Sequence, residues 1–196
     1  MKVLKEFEDV ETDAMRYGTQ MHEAAEHYVR DRTPLPSEFE YVHSALDSLL
    51  SIKGDRLCEY KMGLTENLKP CGFFAPDVWW RGIADLLILN GDKAFIIDYK
   101  TSKNTNYADT RQLDLLAGAT FIHYPEVKKV KSALSFVVCK GFITKDHTVD
   151  MYKSYMSVFD SELERIEVAL EKDVWNPVES GLCGFCPVTS CEHNRR

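Results

Sequence analysis

Ile83-Ala84-Asp85-Leu86-Leu87-Ile88-Leu89-Asn90-Gly91-Asp92-Lys93-Ala94-Phe95-Ile96-Ile97-Asp98-Tyr99-Lys100 reads as two apolar strands about a tight turn. Asn90-Gly91 and Gly91-Asp92 are both two-residue hairpin signals. Pairing Leu89 with Ala94 around Gly91-Asp92 sets Asp85 opposite Asp98, whereas an Asn90-Gly91 turn makes them diagonal neighbours. Either register predicts both carboxylates on one face. Side chains two apart on a strand point the same way, so Lys100 is expected beside Asp98, with Tyr99 facing away. Like charges set opposite each other repel. A divalent cation between them removes the penalty, and the hairpin is read as a metal site.

With 196 residues, 44% of them hydrophobic, the chain is long enough for one well-buried core and short for two ordinary domains. A single domain is expected, with a nuclease-sized body over residues 1–178 and a metal-binding tail, 179–196, belonging to it. No run of about 20 apolar residues spans a membrane, and Met1-Lys2-Val3-Leu4-Lys5-Glu6-Phe7 lacks the apolar segment of a signal peptide. A cytoplasmic protein without membrane attachment is expected. In that setting the six cysteines read as metal ligands or core residues, not disulfides. The net charge of −7 argues against wholesale electrostatic attachment to nucleic acid. Phosphate would have to be met locally, by bound cations and by Lys100, Lys103 and Arg111.

Periodicity predicts a helix from Glu11 to about Arg30, carried by Met15, Met21, Ala25 and Val29. A second helix is expected from Ser37 to about Ile52, opened by a Ser37/Glu40 capping box. Glu59 to Leu64 alternates as a strand, and the Asp85/Asp98 hairpin follows. Thr110 to Ile122 reads as a helix, Ala133 to Cys139 as a short strand, and Val149 to about Lys172 as one long amphipathic helix. This order predicts an α/β fold with a mixed sheet flanked by helices.

Two carboxylates and a lysine across a hairpin suit metal-assisted phosphodiester hydrolysis, in which the cation polarises the phosphate and activates a water. Asp-x-Lys is common, and an exposed Asp and Lys at a strand end would form only a weak surface pair. Support comes from the first helix, where Gly18, His22 and Glu26 lie four apart along one face. Gly inside a helix costs about 1 kcal/mol relative to Ala, so close packing or an approaching nucleic-acid backbone is expected there. Neutral imidazole ligates divalent metals, and His22 is placed to complete a site begun by Asp85 and Asp98. Glu59 reads equally as a metal or water contact and as a solvent-facing edge acid. Of Trp79 and Trp80, one is expected in the core and the other is free to stack on a base.

Together these residues resemble the PD-(D/E)XK nuclease superfamily, in its RecB-like and phage-type exonuclease branch. Gly18 to His22 matches the Gly-x-x-x-His helix, Arg81-Gly82-Ile83-Ala84-Asp85 the Arg-Gly-x-x-Asp strand, and Asp98-Tyr99-Lys100 the Asp-x-Lys motif. Gln112-Leu113-Asp114-Leu115-Leu116-Ala117 matches the helix opened by Gln. Many relatives carry Tyr four residues after that Gln; here the position is Leu116. The resemblance implies a restriction-endonuclease-like core in which His22, Asp85, Asp98 and the Tyr99 carbonyl hold Mg²⁺ or Mn²⁺. It makes Lys100 the catalytic lysine, puts Glu59 on the strand where relatives often carry an acid, and has Gln112 contact the site or the DNA. The implied substrate is DNA with a free end, single strands foremost, in phage or mobile-element replication or recombination inside a bacterial host, where replication or recombination proteins are the partners. No Walker A loop accompanies the match.

The tail Cys183-Gly184-Phe185-Cys186-Pro187-Val188-Thr189-Ser190-Cys191-Glu192-His193 holds a Cys-x2-Cys knuckle, a third Cys and a His. Relatives, CRISPR-adaptation nucleases among them, join a similar trio to an upstream Cys around an iron–sulfur cluster. Residues 1–57 contain no Cys. A Cys3His zinc site completed by His193 is therefore the better expectation; a cluster would need Cys58, Cys71 or Cys139 to fold back. Those three read as core residues.

Overall fold

The computed structural model describes residues 11–106 and 108–195, so Met1 to Phe7 lie outside it. Residues Ala14–Val158 form one compact unit. Here α1 (Asp13–Asp31, in this unit from Ala14 onward) and α2 (His43–Leu50) precede β1 (Asp55–Thr65), the two-residue β2 (Pro70–Cys71), β3 (Val78–Asn90) and β4 (Lys93–Lys100). Then come α3 (Arg111–His123), β5 (Lys129–Phe136), β6 (Gly141–Thr148) and the short α4 (Tyr152–Met156). The six strands run in the order β2-β1-β3-β4-β5-β6. Among the described residues only β4 and β5 pair in parallel, across the connection that contains α3. The fold is the expected mixed α/β sheet flanked by helices. No helix among the described residues is long and apolar enough to cross a membrane.

Two apolar layers fix the faces of the sheet. One joins Met21, Ala25 and Val29 of α1 and Leu46 of α2 to Leu86, Ile88, Ile97 and Tyr99. The other joins Leu116, Ala117 and Phe121 of α3 to Met62, Leu64, Ala84, Leu87, Ala94 and Ile96. Burying each of the larger aliphatic and Phe side chains among these stabilises the fold by about 1.5–3 kcal/mol. Leu89 pairs with Ala94 and Asn90 with Lys93, so Gly91-Asp92 is the turn. Gly91 has φ +61° at the first central position, as a type II′ hairpin turn requires.

The β3–β4 ladder stops at Leu86–Ile97, one step short of Asp85 and Asp98. Beyond that point β3 stays paired with β1, and β4 with β5. The sheet therefore forks between β3 and β4, with the two aspartates at the root of the fork. A second irregularity lies at the same level. Cys58 pairs with Leu86 and Tyr60 with Ala84, but Glu59 and Asp85 between them do not pair. Glu59 has φ +46°, a left-handed backbone that costs a non-glycine residue about 1–3 kcal/mol. Ala84 and Leu86 pack on opposite faces, so period-two alternation fails at Asp85.

Several expected elements differ. Ser37–Val42 is a 3-10 helix ahead of α2, and Ser37 makes no capping-box bond. Pro36 accepts instead from the Phe39 amide, and the three-residue repeat buries both Phe39 and Val42. β5 begins at Lys129, ahead of the apolar run, because Lys129 and Lys131 point outward while Val130 and Ser132 are buried. β6 was not expected. Its half-buried side includes Lys145 and the buried His147, which conceals the hydrophobic alternation. Cys139 is exposed beyond the end of β5 and is not a core residue, whereas Cys58 packs against the α1 layer. The long helix from Val149 is interrupted: α4 ends at Met156, which sits against Gly118 of α3, and Ser157 Oγ bonds the Ser154 carbonyl. The segment carries no Gly or Pro to break it.

The other compact unit runs from Phe159 onward and includes residues 11–13. It contains α5 (Asp160–Lys172), closed by Asp173 in the left-handed region, and a 3-10 turn over Gly181–Phe185. Ser180 Oγ caps that turn by accepting from the Leu182 amide.

Candidate active site

α1 lays His22 over the fork because Met21 and Ala25 bury its opposite side in the core. His22 Nε2 lies 3.0 Å from the Tyr99 carbonyl oxygen, and Nδ1 lies 3.4 Å from Asp85 Oδ2. A carbonyl only accepts, so Nε2 carries a proton, and Nδ1 faces the Asp85 carboxylate. Asp85 Oδ2 also accepts from the Tyr99 amide at 2.6 Å, a bond that ties the two prongs of the fork together.

The ligand atoms of His22, Glu59 and Asp85 lie within 4.8 Å of one another. Among the described residues no other three His, Cys, Asp or Glu side chains converge so closely. One imidazole nitrogen and two carboxylates form a donor set that fits a divalent cation of the Mg²⁺ or Mn²⁺ type. An Nε2 bond to a backbone carbonyl is the usual outer support of a metal-binding histidine. In front of these residues opens a cavity of about 670 Å³ lined by Gly18, His22, Glu26, Glu59 and Thr101. A methyl group at Gly18 would meet only Thr101 Oγ1, at an ordinary 3.5 Å, so helix packing does not require the glycine.

Asp98 does not share a face with Asp85. It continues the alternation of Ala94 and Ile96 toward α3, while Asp85 turns to His22 on α1. Lys100 Nζ lies 2.7 Å from Asp98 Oδ2 and donates to Gln112 Oε1 at 3.2 Å. The Asp98 contact is an ion pair without hydrogen-bond alignment, so Oδ2 is buried without an aligned donor. Burial, then repulsion from Asp85, raises the Asp98 pKa against the pull of Lys100. Burial and Asp85 raise that of Glu59 in the same way. For His22, burial opposes protonation, but the Asp85 carboxylate and the Tyr99 carbonyl outweigh it and the pKa rises.

Of the remaining predicted residues, Lys103 is exposed in the loop after β4. The Arg111 guanidinium is held by Asp109 at 2.7 Å. Leu116 is buried next to Gly82, where it serves the core. Cys183, Cys186, Cys191 and His193 all line one cavity of about 540 Å³ in the second unit, together with Trp175. No three of these ligand atoms lie within 4.8 Å of each other. The resemblance names Asp98 as a ligand, and Glu59 reads equally as a metal contact and as an edge acid. The structure brings Glu59 to His22 and Asp85, and sets Asp98 against Lys100. The β1–β3 pairing that aligns Glu59 with Asp85 is the signal, and it is tertiary.

No family model matches the chain, and no curated protein does. Among solved structures, it is similar to a candidate exonuclease from Eubacterium rectale, with TM-score 0.48 and 13% identity, covering 100% of this chain and 79% of that one. It is also similar to the protein designated SSO0001, with TM-score 0.41 and 14% identity, covering 98% and 93%.

Proposed function

We propose that the protein is a metal-dependent deoxyribonuclease of the PD-(D/E)XK type, acting as an exonuclease on single-stranded DNA with free ends. The observation that carries this reading is the convergence of His22, Glu59 and Asp85 beside the Asp98–Lys100 pair at the root of the sheet fork. His22, Glu59 and Asp85 would hold Mg²⁺ or Mn²⁺, with Asp98 and the Tyr99 carbonyl at its margin. The bound cation polarises the phosphate and lowers the pKa of the attacking water. Lys100, steadied by Asp98 and Gln112, orients that water and offsets the charge that builds on the phosphoryl oxygens. Asp98 and Gln112 are positioning residues, and Lys103 is set to meet the DNA backbone.

The tail cysteines with His193 have the donor types of a Cys3His zinc site, which would cross-link the segment. Metal analysis of purified protein, with and without Cys183→Ser, tests this; iron with a visible absorbance band would favour a cluster instead. The resemblance favours a role in phage or mobile-element replication or recombination.

The deciding experiment follows Mn²⁺- or Mg²⁺-dependent degradation of linear and circular single-stranded DNA, with Lys100→Ala and Asp98→Ala alongside. Linear DNA is expected to disappear while circles persist, with Lys100→Ala slower by about 10²–10³-fold. Equal loss of circles removes the exonuclease reading, and fully active variants remove the site.

A further inference from the structure

Beyond the fork, β1 and β3 continue as a two-stranded arm whose faces differ sharply. Trp80, Gly82 and Ala84 turn to α3; the Trp80 ring folds so closely over Gly82 that a Cβ there would lie 2.3 Å from it. The alternate residues, Trp79, Arg81 and Ile83 of β3 and Lys61 of β1, lie on the opposite face and are exposed, Trp79 by 47% and Ile83 by 39%. Lys61 pairs with Ile83, and Gly63 with Arg81, so these side chains form one continuous stripe.

The loop after β2 closes over the outer part of this stripe. A Cβ at Gly63 would lie 2.9 Å from the Gly72 carbonyl oxygen, so only glycine admits the loop there. The loop delivers Phe73 and Phe74, whose rings meet edge-on at 5.0 Å. The Arg81 guanidinium lies 5.7 Å from both ring centroids, and Lys61 Nζ lies 5.8 Å from that of Phe73. Phe74 is 78% exposed, so its ring is held at the surface and not in the core.

We infer that this stripe is a track for a single DNA strand, running from Phe74 and Trp79 past Arg81 and Lys61 to Asp85. Exposed aromatic faces interleaved with fixed cations recognise unpaired bases and their phosphates together. A duplex hides the base faces that Phe74 and Trp79 would stack on. The stripe is continuous with the candidate site: at about 3.3 Å per residue, Arg81 stands roughly 13 Å and Trp79 roughly 20 Å along β3 from Asp85. It provides the local positive charge that the acidic chain lacks overall. This inference rests on the nuclease reading above and gives it a substrate path.

The test measures fluorescence anisotropy of a labelled oligothymidylate and of a duplex of equal length, with EDTA present, for the wild type and Phe74→Ala, Trp79→Ala and Arg81→Lys. Hydrolysis of thymidine 5′-(p-nitrophenyl phosphate) with Mn²⁺ is followed in parallel, since this small ester needs only the fork. Single-strand affinity is expected to fall about 5- to 150-fold for each aromatic substitution, and less for Arg81→Lys, with ester hydrolysis unchanged. Unaltered binding in all three variants overturns the track. Equal loss of duplex binding overturns its single-strand character. A wild type that hydrolyses neither ester nor DNA refutes the proposed activity, while the binding series still decides the track.

Discussion

The imidazole Nε2 of His22 donates a 3.0 Å hydrogen bond to the carbonyl oxygen of Tyr99, joining α1 to the strand that carries Asp98 and Lys100. The bond fixes both the tautomer and the ring orientation. His22→Ala should therefore lose Mn²⁺ affinity by about 10- to 100-fold or more while keeping its circular dichroism, because Met21 and Ala25 continue to anchor the helix. Isothermal titration with Mn²⁺ reads this directly, and unchanged affinity would exclude His22 as a ligand.

Cation binding should also register as stability. The Asp85 carboxylate repels those of Glu59 and Asp98, and a bound ion relieves that repulsion. At a Mn²⁺ concentration about 100 times its Kd, stabilisation of about 2.7 kcal/mol is expected. Thermal melts of wild type and Asp85→Asn compare the two states; an equal rise in both places the binding elsewhere.

The same repulsion predicts a pH dependence for the metal-free protein. Glu59 and Asp98 have pKa values raised by burial and by Asp85, and that of His22 is raised by Asp85 and the Tyr99 carbonyl against its burial. For each group the folded chain binds its proton more tightly than the unfolded chain. The associated stability is complete below the unfolded pKa and is lost as pH rises through the folded one. Metal-free melting temperature should fall from mildly acidic to neutral pH, and Glu59→Gln should flatten that slope.

A separate polar cluster braces α3 against β6. Asp114 is buried, accepts from Lys145 Nζ at 2.7 Å and lies 3.6 Å from His147 Nδ1, while His147 Nε2 lies 2.8 Å from Ser132 Oγ. Lys145→Met would strand the Asp114 carboxylate and destabilise the fold by about 1–3 kcal/mol in urea titration. Adding Asp114→Asn should restore part of the loss. An additive double variant would show that the pair is not coupled.

Much of this was written locally. The turn residues and the alternation of Ala94 to Lys100 narrowed the hairpin to two registers, of which the structure takes the Gly91-Asp92 turn, and the 3.6-residue repeat placed α1 and α3 within two residues of their observed limits. The long helix from Val149 is broken where Met156 docks on Gly118 of α3 and Ser157 turns its hydroxyl back onto the Ser154 carbonyl. β6 was hidden because its inward positions carry Lys145 and His147, whose partner Asp114 lies on α3.

Sequence alone determined which residues could carry chemistry and which strands would present them, since turn residues and side-chain period act over a few positions. Only the tertiary structure decided which of those residues meet. Glu59 and Asp85 sit where two neighbouring strands lose their pairing together, and Glu59 holds a left-handed backbone that no pattern of polarity announces. Once alternation fails there, parity no longer tells which face a side chain takes. The packing of α1 and α3 on opposite sides of the fork makes that choice, turning Asp85 to His22 and leaving Asp98 to Lys100.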